Sequence, residues 1–257
     1  MNPAIVIIAF GTTTKAQATY RHLHTKIKKL LPEREIFWAY SSKIITKSLQ
    51  ASDETVQSPT DVLTALAQKG HTEVILQSLH LFPGTEFHGL LTIKPPSSLQ
   101  CHPGLPLLTS PDDYREMADL LAPLITSRPD RAILILGHGT AHPSWTGYYS
   151  LEKILREHFG DRIHVGVVEQ FPDSSKLAEK IASTDYDKVT IIPFFLIAGM
   201  HYRRDIIAED KESWLSRLTE LNMDVEVIDS GLGILPGLEK LLVRHINEAK
   251  RTSDKKD

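Results

Sequence analysis

The sequence predicts an α/β protein made of two similar domains, each a mostly parallel sheet flanked by helices, related by a pseudo-twofold. Three observations predict it. Short unbroken runs of Val, Ile and Leu alternate with longer stretches of helical spacing. That is how βα units read when the strands are buried on both faces. The pattern restarts halfway along the chain. Ile5 maps onto Ile133, and Phe10-Gly11-Thr12 onto His138-Gly139-Thr140, at an offset of 128 residues that also carries Ser41 onto Glu169. A shorter offset, 115 residues, pairs Gly84-Thr85-Glu86-Phe87 with Gly199-Met200-His201-Tyr202. Third, the most apolar run of the second half, 132–136, ends abruptly on Gly137-His138-Gly139.

The elements follow in order. Residues 4–10 form a first strand, and a helix is expected over about 15–31, with threonines to cap it and Pro32 to stop it. A second strand covers 35–40 and leads into Ser41-Ser42. Helical stretches are expected near 44–50 and 59–68, the latter closing on Lys69-Gly70. Residues 73–79 make a third strand and 80–88 a loop around Pro83-Gly84; 90–104 is proline-rich and reads as irregular surface. A short fourth strand is expected at 105–108 and a helix at 112–125. The second half repeats the order: strand 132–136, helix 148–159, strand 162–168, a helix capped by Asp173 and running to about 183, strand 188–195, helix 210–221, strand 224–228 and helix 236–249. The expected domains are 1–128 and 129–257, with the last helix a candidate to pack back on the first half.

Composition narrows the function. A net charge of −3 argues against a broad nucleic-acid-binding surface. Cys101 is the only cysteine, which excludes an intramolecular disulfide and a cysteine-based zinc site. The amino terminus shows no basic leader, and the run 4–10 is too short to span a bilayer; a cytoplasmic protein without membrane attachment is the expectation. No GxxxxGK[ST], GxGxxG or GxSxG spacing is present.

What remains is a constellation. In a parallel sheet, ligands bind at the carboxyl ends of the strands. His138 follows the first strand of the second half, Glu169 the second, and His201 lies in the loop after the third. With strands about 5 Å apart, the three can reach one ion. Two imidazoles and a carboxylate suit a divalent first-row metal. Each residue alone has a plainer reading: His138 as a loop hydrogen-bonder, Glu169 as a helix cap, His201 as an exposed loop residue. Their coincidence at equivalent strand ends points to metal handling. The first-half counterparts are Phe10, Ser41 and Glu86, so the internal symmetry breaks where chemistry is expected. His22, His24, His142, His158, His164 and His245 read as surface residues; His80 and His88 stay candidates for the cleft.

The segments LILGHGT, VVEQFPD and IIPFFLIAGMHYRRDI, with AFGTT and HLFPGTEF in the first half, resemble the anaerobic sirohydrochlorin cobaltochelatases of cobalamin biosynthesis, class II chelatases related in fold to ferrochelatase. The resemblance spans about 4–240. It implies insertion of Co(II), as substrate metal, into sirohydrochlorin without an organic cofactor, a cleft between the halves, and a homo-oligomer. It implies that His138, Glu169 and His201 are metal ligands, that His138 is also a proton acceptor, and that Glu86 is a catalytic cleft carboxylate. The macrocycle would meet Phe10, Gly11, Ser41, Phe87, Gly139, Met200, Tyr202 and Arg203, with Phe82, Phe194, Phe195 and Arg204 nearby.

The chemistry is consistent. Metallation exchanges two pyrrole protons for one divalent ion, and histidine's unperturbed pKa near 6.5 suits a proton acceptor at neutral pH. A thiolate-free set also releases its ion more readily than a cysteine cage. Three alternatives stay open: the same site inserting Fe(II) or Ni(II); a non-catalytic tetrapyrrole or metal carrier; and a hydrolase using His138 as nucleophile, which would want an arginine where Gly137 and Gly139 stand.

Overall fold

The computed structural model describes residues 2–11, 17–42 and 57–253, the last four by backbone alone. Two compact units are present: Met1–Thr109 with Gly237–Asp257, and Ser110–Pro236. The cut between them therefore falls at 109/110, where 128/129 was expected. The helix Pro111–Thr126 belongs with the second unit because its apolar stripe (Met117, Leu121 and Ile125 are buried) packs on the helix Thr146–Phe159. Capping defines its start: Ser110 Oγ accepts from Asp113 N, and the Asp113 carboxylate accepts from Ser110 N.

In the first unit four parallel strands run in the order β2-β1-β3-β4, with β1 Ala4–Ala9, β2 Ile36–Tyr40, β3 Glu73–Ser78 and β4 Gln100–Gly104. The second unit repeats the order as β6-β5-β7-β8, with β5 Ala132–Gly137, β6 Ile163–Val167, β7 Lys188–Pro193 and β8 Asp224–Val227, again all parallel. The central strands β1 and β5 are buried throughout, which is why they read as continuous apolar runs.

The repeat extends to single hydrogen bonds. Leu79 N donates to Ile8 O as Phe194 N donates to Leu136 O, and Gly84 N donates to Phe82 O as Gly199 N donates to Ile197 O. One expected correspondence shifts. Ser42 N donates to Phe10 O as Glu169 N donates to His138 O, so the structural counterpart of Glu169 is Ser42 rather than Ser41.

Several boundaries differ from expectation for identifiable reasons. The fourth strand is Gln100–Gly104, not 105–108. The strand lies at the sheet edge, where Pro103 opposite Leu76 is tolerated because an edge leaves N–H groups unpaired anyway. The apolar residues Leu107 and Leu108 are buried beyond the strand's end and donate to the carbonyls of His80 and Leu81. Residues 80–88 are not all loop, since Thr85–Leu91 is helical after Pro83-Gly84. Asp173 accepts from Ser175 N in a local turn, and the helix begins only at Leu177. Ser213 caps the helix Trp214–Glu220 by accepting from Ser216 N. The helix expected near 44–50, and the threonines expected to cap the first helix, lie outside the described residues. That helix, Gln17–Leu30, buries Tyr20, Leu23 and Ile27 at helical spacing.

The carboxyl-terminal helix, Leu238–Ser253, packs on β3, β4 and the Gln17–Leu30 helix, which places it in the first unit. His164 and His245, expected at the surface, are each 2% exposed. His164 sits on β6, all five residues of which are buried, so no polar face exists for it to occupy. Among the described residues no helix is long and apolar enough to cross a membrane.

Candidate metal site

The second unit brings its strand ends together. β5 delivers the chain to His138, and the two glycines around it are required by close packing. A Cβ on Gly137 would fall into the Tyr148 ring. Gly139 has φ +90, and a Cβ there would overlap the carbonyl oxygen of Glu169. Gly139 was expected to admit a ligand; its missing side chain instead admits the neighbouring loop. That loop is held by Glu169 N donating to His138 O at 3.1 Å. Beneath it the Tyr148 hydroxyl accepts from Gly139 N at 3.0 Å and from the backbone N–H of His138. Burial pushes the Tyr148 phenol up to about 12, against the opposing pull of those two N–H groups, so it stays a neutral acceptor at any ordinary pH.

His201 enters from the loop after β7, at the head of a π-helical turn, Tyr202–Ile206. Tyr202 and Ile206 are buried in the unit's core and anchor the turn. Tyr202 was expected to face the macrocycle. Its ring instead packs inward and its hydroxyl is bonded to Asp229, while burial first and then Asp229 push the phenol up to about 12. The opposite face of the turn carries His201 and Asp205. His201 Nδ1 lies 2.7 Å from Asp205 Oδ2, and Arg204 grips the same carboxylate through Nε (2.6 Å to Oδ1) and Nη2 (3.1 Å to Oδ2). Burial raises the Asp205 pKa, but the bonds from Arg204 and His201 outweigh it and hold the carboxyl below its usual value. Phe195 lies parallel to the His201 ring at 6.5 Å, a 12° interplanar angle.

The three expected residues meet. One potential ligand atom from each of His138, Glu169 and His201 lies within 4.8 Å of the other two, and all three side chains are partly exposed. Glu169 Oε1 is 3.5 Å from His138 Nδ1. The two Nε2 atoms face each other at 3.0 Å across T-shaped rings. Each Nδ1 faces an acceptor, Gly139 O at 3.1 Å for His138 and Asp205 Oδ2 for His201. Acceptors there favour hydrogen on both Nδ1 atoms and leave a lone pair on each Nε2. In that tautomer the pair offers two lone pairs to one cation; with hydrogen on either Nε2 the contact is an N–H···N hydrogen bond. Nitrogen and carboxylate donors without thiolate fit a first-row divalent ion.

A recess of about 310 Å³ lies beside this set, lined by Glu169, Asp173, Asp205, Glu212 and Arg217 among others. On the same sheet edge Met200 and Arg203 are exposed, as are Phe171 and Tyr149, whose rings flank Trp145.

In the first unit the expected counterparts occupy the matching edge of their own sheet. Phe10 is exposed, and Gly11 has φ +99. Ser41 Oγ is buried with no partner among the described residues. Glu86 is exposed on the helix Thr85–Leu91, whereas Phe87, expected to line a ligand, is turned into the core. His80 bonds to Ser78 Oγ at 2.9 Å, and burial drives it down to about 4 against the charge of Glu86. His88 is exposed.

Two residues escaped the sequence reading. Asp205 was discoverable, because His201 and Asp205 stand four apart in a segment expected at the site. Tyr148 carries no signal, since its role comes from a helix folding back beneath the strand end.

Comparison with known proteins gives three further findings. A family model described as cobalt chelatase (CbiK) matches residues 3–251. The sirohydrochlorin cobaltochelatase of Salmonella typhimurium is 27% identical over 257 residues, covering 97% of this chain and 97% of its own; sirohydrochlorin cobaltochelatase CbiKC of Nitratidesulfovibrio vulgaris is 26% identical over 258 residues, covering 97% and 91%. A solved structure of SirB from Bacillus subtilis with Fe3+ matches with a TM-score of 0.73 at 14% identity, covering 100% of this chain and 99% of that one, a likeness of fold.

Proposed function

The chain belongs to the cobalt chelatase (CbiK) family, and from that premise we propose that it inserts Co(II) into sirohydrochlorin with His138, Glu169 and His201 holding the ion. The observation that carries the assignment is the pair of Nε2 atoms facing each other at 3.0 Å, with Glu169 Oε1 3.5 Å from the His138 ring and a ligand atom of all three residues within 4.8 Å of one another.

The reaction forms four bonds from the macrocycle nitrogens to cobalt and releases two pyrrole protons. The protein must therefore surrender an ion and accept protons at one place. His138 is the first acceptor: as cobalt leaves its Nε2, that lone pair becomes free for a pyrrole proton. Glu169 Oε1, 3.5 Å from the same ring, offsets the charge the imidazole then acquires. Glu86 takes the role of a second acid–base group on the strength of the internal repeat, which sets it at the position of His201. Met200, Phe171 and Tyr149 supply apolar surface for a flat ring at the edge of the second sheet. Arg203 offers a cation to the ring's carboxylates, and Phe10, Gly11 and Ser41 stand at the equivalent edge of the first sheet. In this reading the chain works as a homo-oligomer, which light scattering checks.

The donor set admits Fe(II) and Ni(II) as well, because nitrogen and carboxylate ligands follow the general affinity order rather than select cobalt. The deciding experiment mixes substoichiometric protein with sirohydrochlorin and Co(II), Fe(II) or Ni(II) without oxygen and follows the absorbance of the free macrocycle. Many turnovers above the uncatalysed rate are expected, fastest with Co(II). A reaction that stops at one equivalent makes the protein a carrier, and no acceleration with any metal refutes the assignment.

A further inference from the structure

We propose that Asp205 is the positioning residue that makes His201 a competent metal ligand, with Arg204 in turn fixing Asp205. The inference rests on the reading of His138, Glu169 and His201 as the metal site.

The turn sets the geometry. Ile207 N donates to Tyr202 O, five residues back, so this segment is wider than an α-helix. Its inward face is pinned by Tyr202 and Ile206 in the core, and its outward face therefore presents His201 and Asp205 together. A free imidazole has two tautomers and can flip about its terminal torsion. Only one combination puts an unprotonated Nε2 opposite His138. Asp205 Oδ2, 2.7 Å from Nδ1, selects that combination by accepting the Nδ1 hydrogen. Phe195, parallel to the ring, limits its tilt.

Asp205 is itself held. Its side chain is 19% exposed, and Arg204 engages both of its oxygens, Oδ1 through Nε and Oδ2 through Nη2, while His201 shares Oδ2. A carboxylate serving only as a surface ion-pair partner of Arg204 would not need the histidine on its second oxygen. The exposed Arg204 thus acts one step removed from the metal, as a clamp on the carboxylate that orients the ligand. Outer partners of this kind typically change metal affinity 10- to 100-fold when removed.

The test uses the full chain without tetrapyrrole. Co(II) is titrated into wild-type protein and the Asp205→Ala, Asp205→Asn, Arg204→Ala and His138→Ala variants, reading affinity by calorimetry and ligand geometry from the visible Co(II) bands. Asp205→Ala is expected to weaken binding roughly 10- to 100-fold and to alter the bands. Asp205→Asn, which keeps an acceptor for Nδ1, should recover much of that loss, and Arg204→Ala should weaken binding by less than Asp205→Ala. In turnover, KM for Co(II) should rise while KM for sirohydrochlorin stays put, a split that a general loosening of the fold would not give. Asp205→Ala binding Co(II) within twofold of wild type, with unchanged bands, overturns the proposal. If Asp205→Ala does not fold, Arg204→Ala decides: wild-type KM for Co(II) with unchanged bands overturns it. His138→Ala separates the two levels. Should it also bind Co(II) normally, the metal-site reading itself fails; should it lose binding while the Asp205 variants keep it, only the positioning role fails.

Discussion

Replacing Gly139 by alanine tests how tightly the fold couples its strand-end loops to the proposed metal ligands. The added Cβ would lie 1.8 Å from Glu169 O, where ordinary contact begins near 3.4 Å, so the 169 loop must retreat by about 1.6 Å. It cannot do so freely, because Glu169 N donates to His138 O. Losing that bond costs about 1 kcal/mol. Holding alanine at φ +90 costs about 1–2 kcal/mol more. The sum is about 2–3 kcal/mol of stability, together with a Glu169 carboxylate displaced from His138. A displacement near 1 Å is enough to slow a reaction by roughly 100-fold. Gly70→Ala is the matched control: its φ is +87, but a Cβ there meets nothing within 4 Å. It isolates the backbone strain and should lose only about 1–2 kcal/mol. Urea unfolding at 25 °C and anaerobic Co(II) insertion well below each melting temperature read both effects. Gly139→Ala should be the less stable variant and lose about two orders of magnitude in kcat/KM, while Gly70→Ala keeps its rate. If Gly139→Ala matches Gly70→Ala in both assays, the loop contact does not govern the site and the reasoning fails.

His138→Ala removes a partly exposed side chain proposed as a ligand, so insertion should disappear while stability changes by no more than about 0.5 kcal/mol; retained turnover would show that another group takes the proton. Tyr148→Phe deletes the acceptor for Gly139 N and the His138 N–H, and leaving buried donors unpaired costs about 1–3 kcal/mol each, visible as a lower unfolding midpoint with slower insertion. His164 is driven to about 4, first by burial and then by Arg156 and Lys180. Its folded pKa lies below the unfolded 6.5, so the unfolded chain binds the extra proton. Stability contributed by the neutral ring is therefore full above pH 6.5 and falls as the pH drops toward 4, by about 2 kcal/mol between pH 7 and 5. His164→Leu should flatten that part of the pH–stability curve, and an unchanged curve would place the titration elsewhere.

β1 and β5 were plain in the sequence because burial on both faces leaves an uninterrupted apolar run. β4 was misplaced because an edge strand needs no such run. Gln100–Gly104 is polar and holds a proline, while the leucines beyond it are buried for a different reason. His138, Glu169 and His201 were found because a parallel sheet delivers all its carboxyl ends to one edge, so equivalence in the repeat stands in for proximity. Tyr202 and Phe87 were assigned to the wrong side because a loop's sequence does not say which residues its turn faces inward. The π-helical turn sends Tyr202 to the core and leaves His201 outside.

By itself, then, the sequence determined the repeated parallel α/β architecture and the three ligand candidates, since periodicity and strand-end position follow from local order along the chain. Tertiary structure alone decided where the units divide, because the helices at 111–126 and 238–253 join whichever sheet or helix completes their apolar faces. It also decided why the glycines flank His138. That depends on atoms far apart in sequence, Tyr148 below the strand end and Glu169 across it, whose approach distances no one-dimensional pattern records.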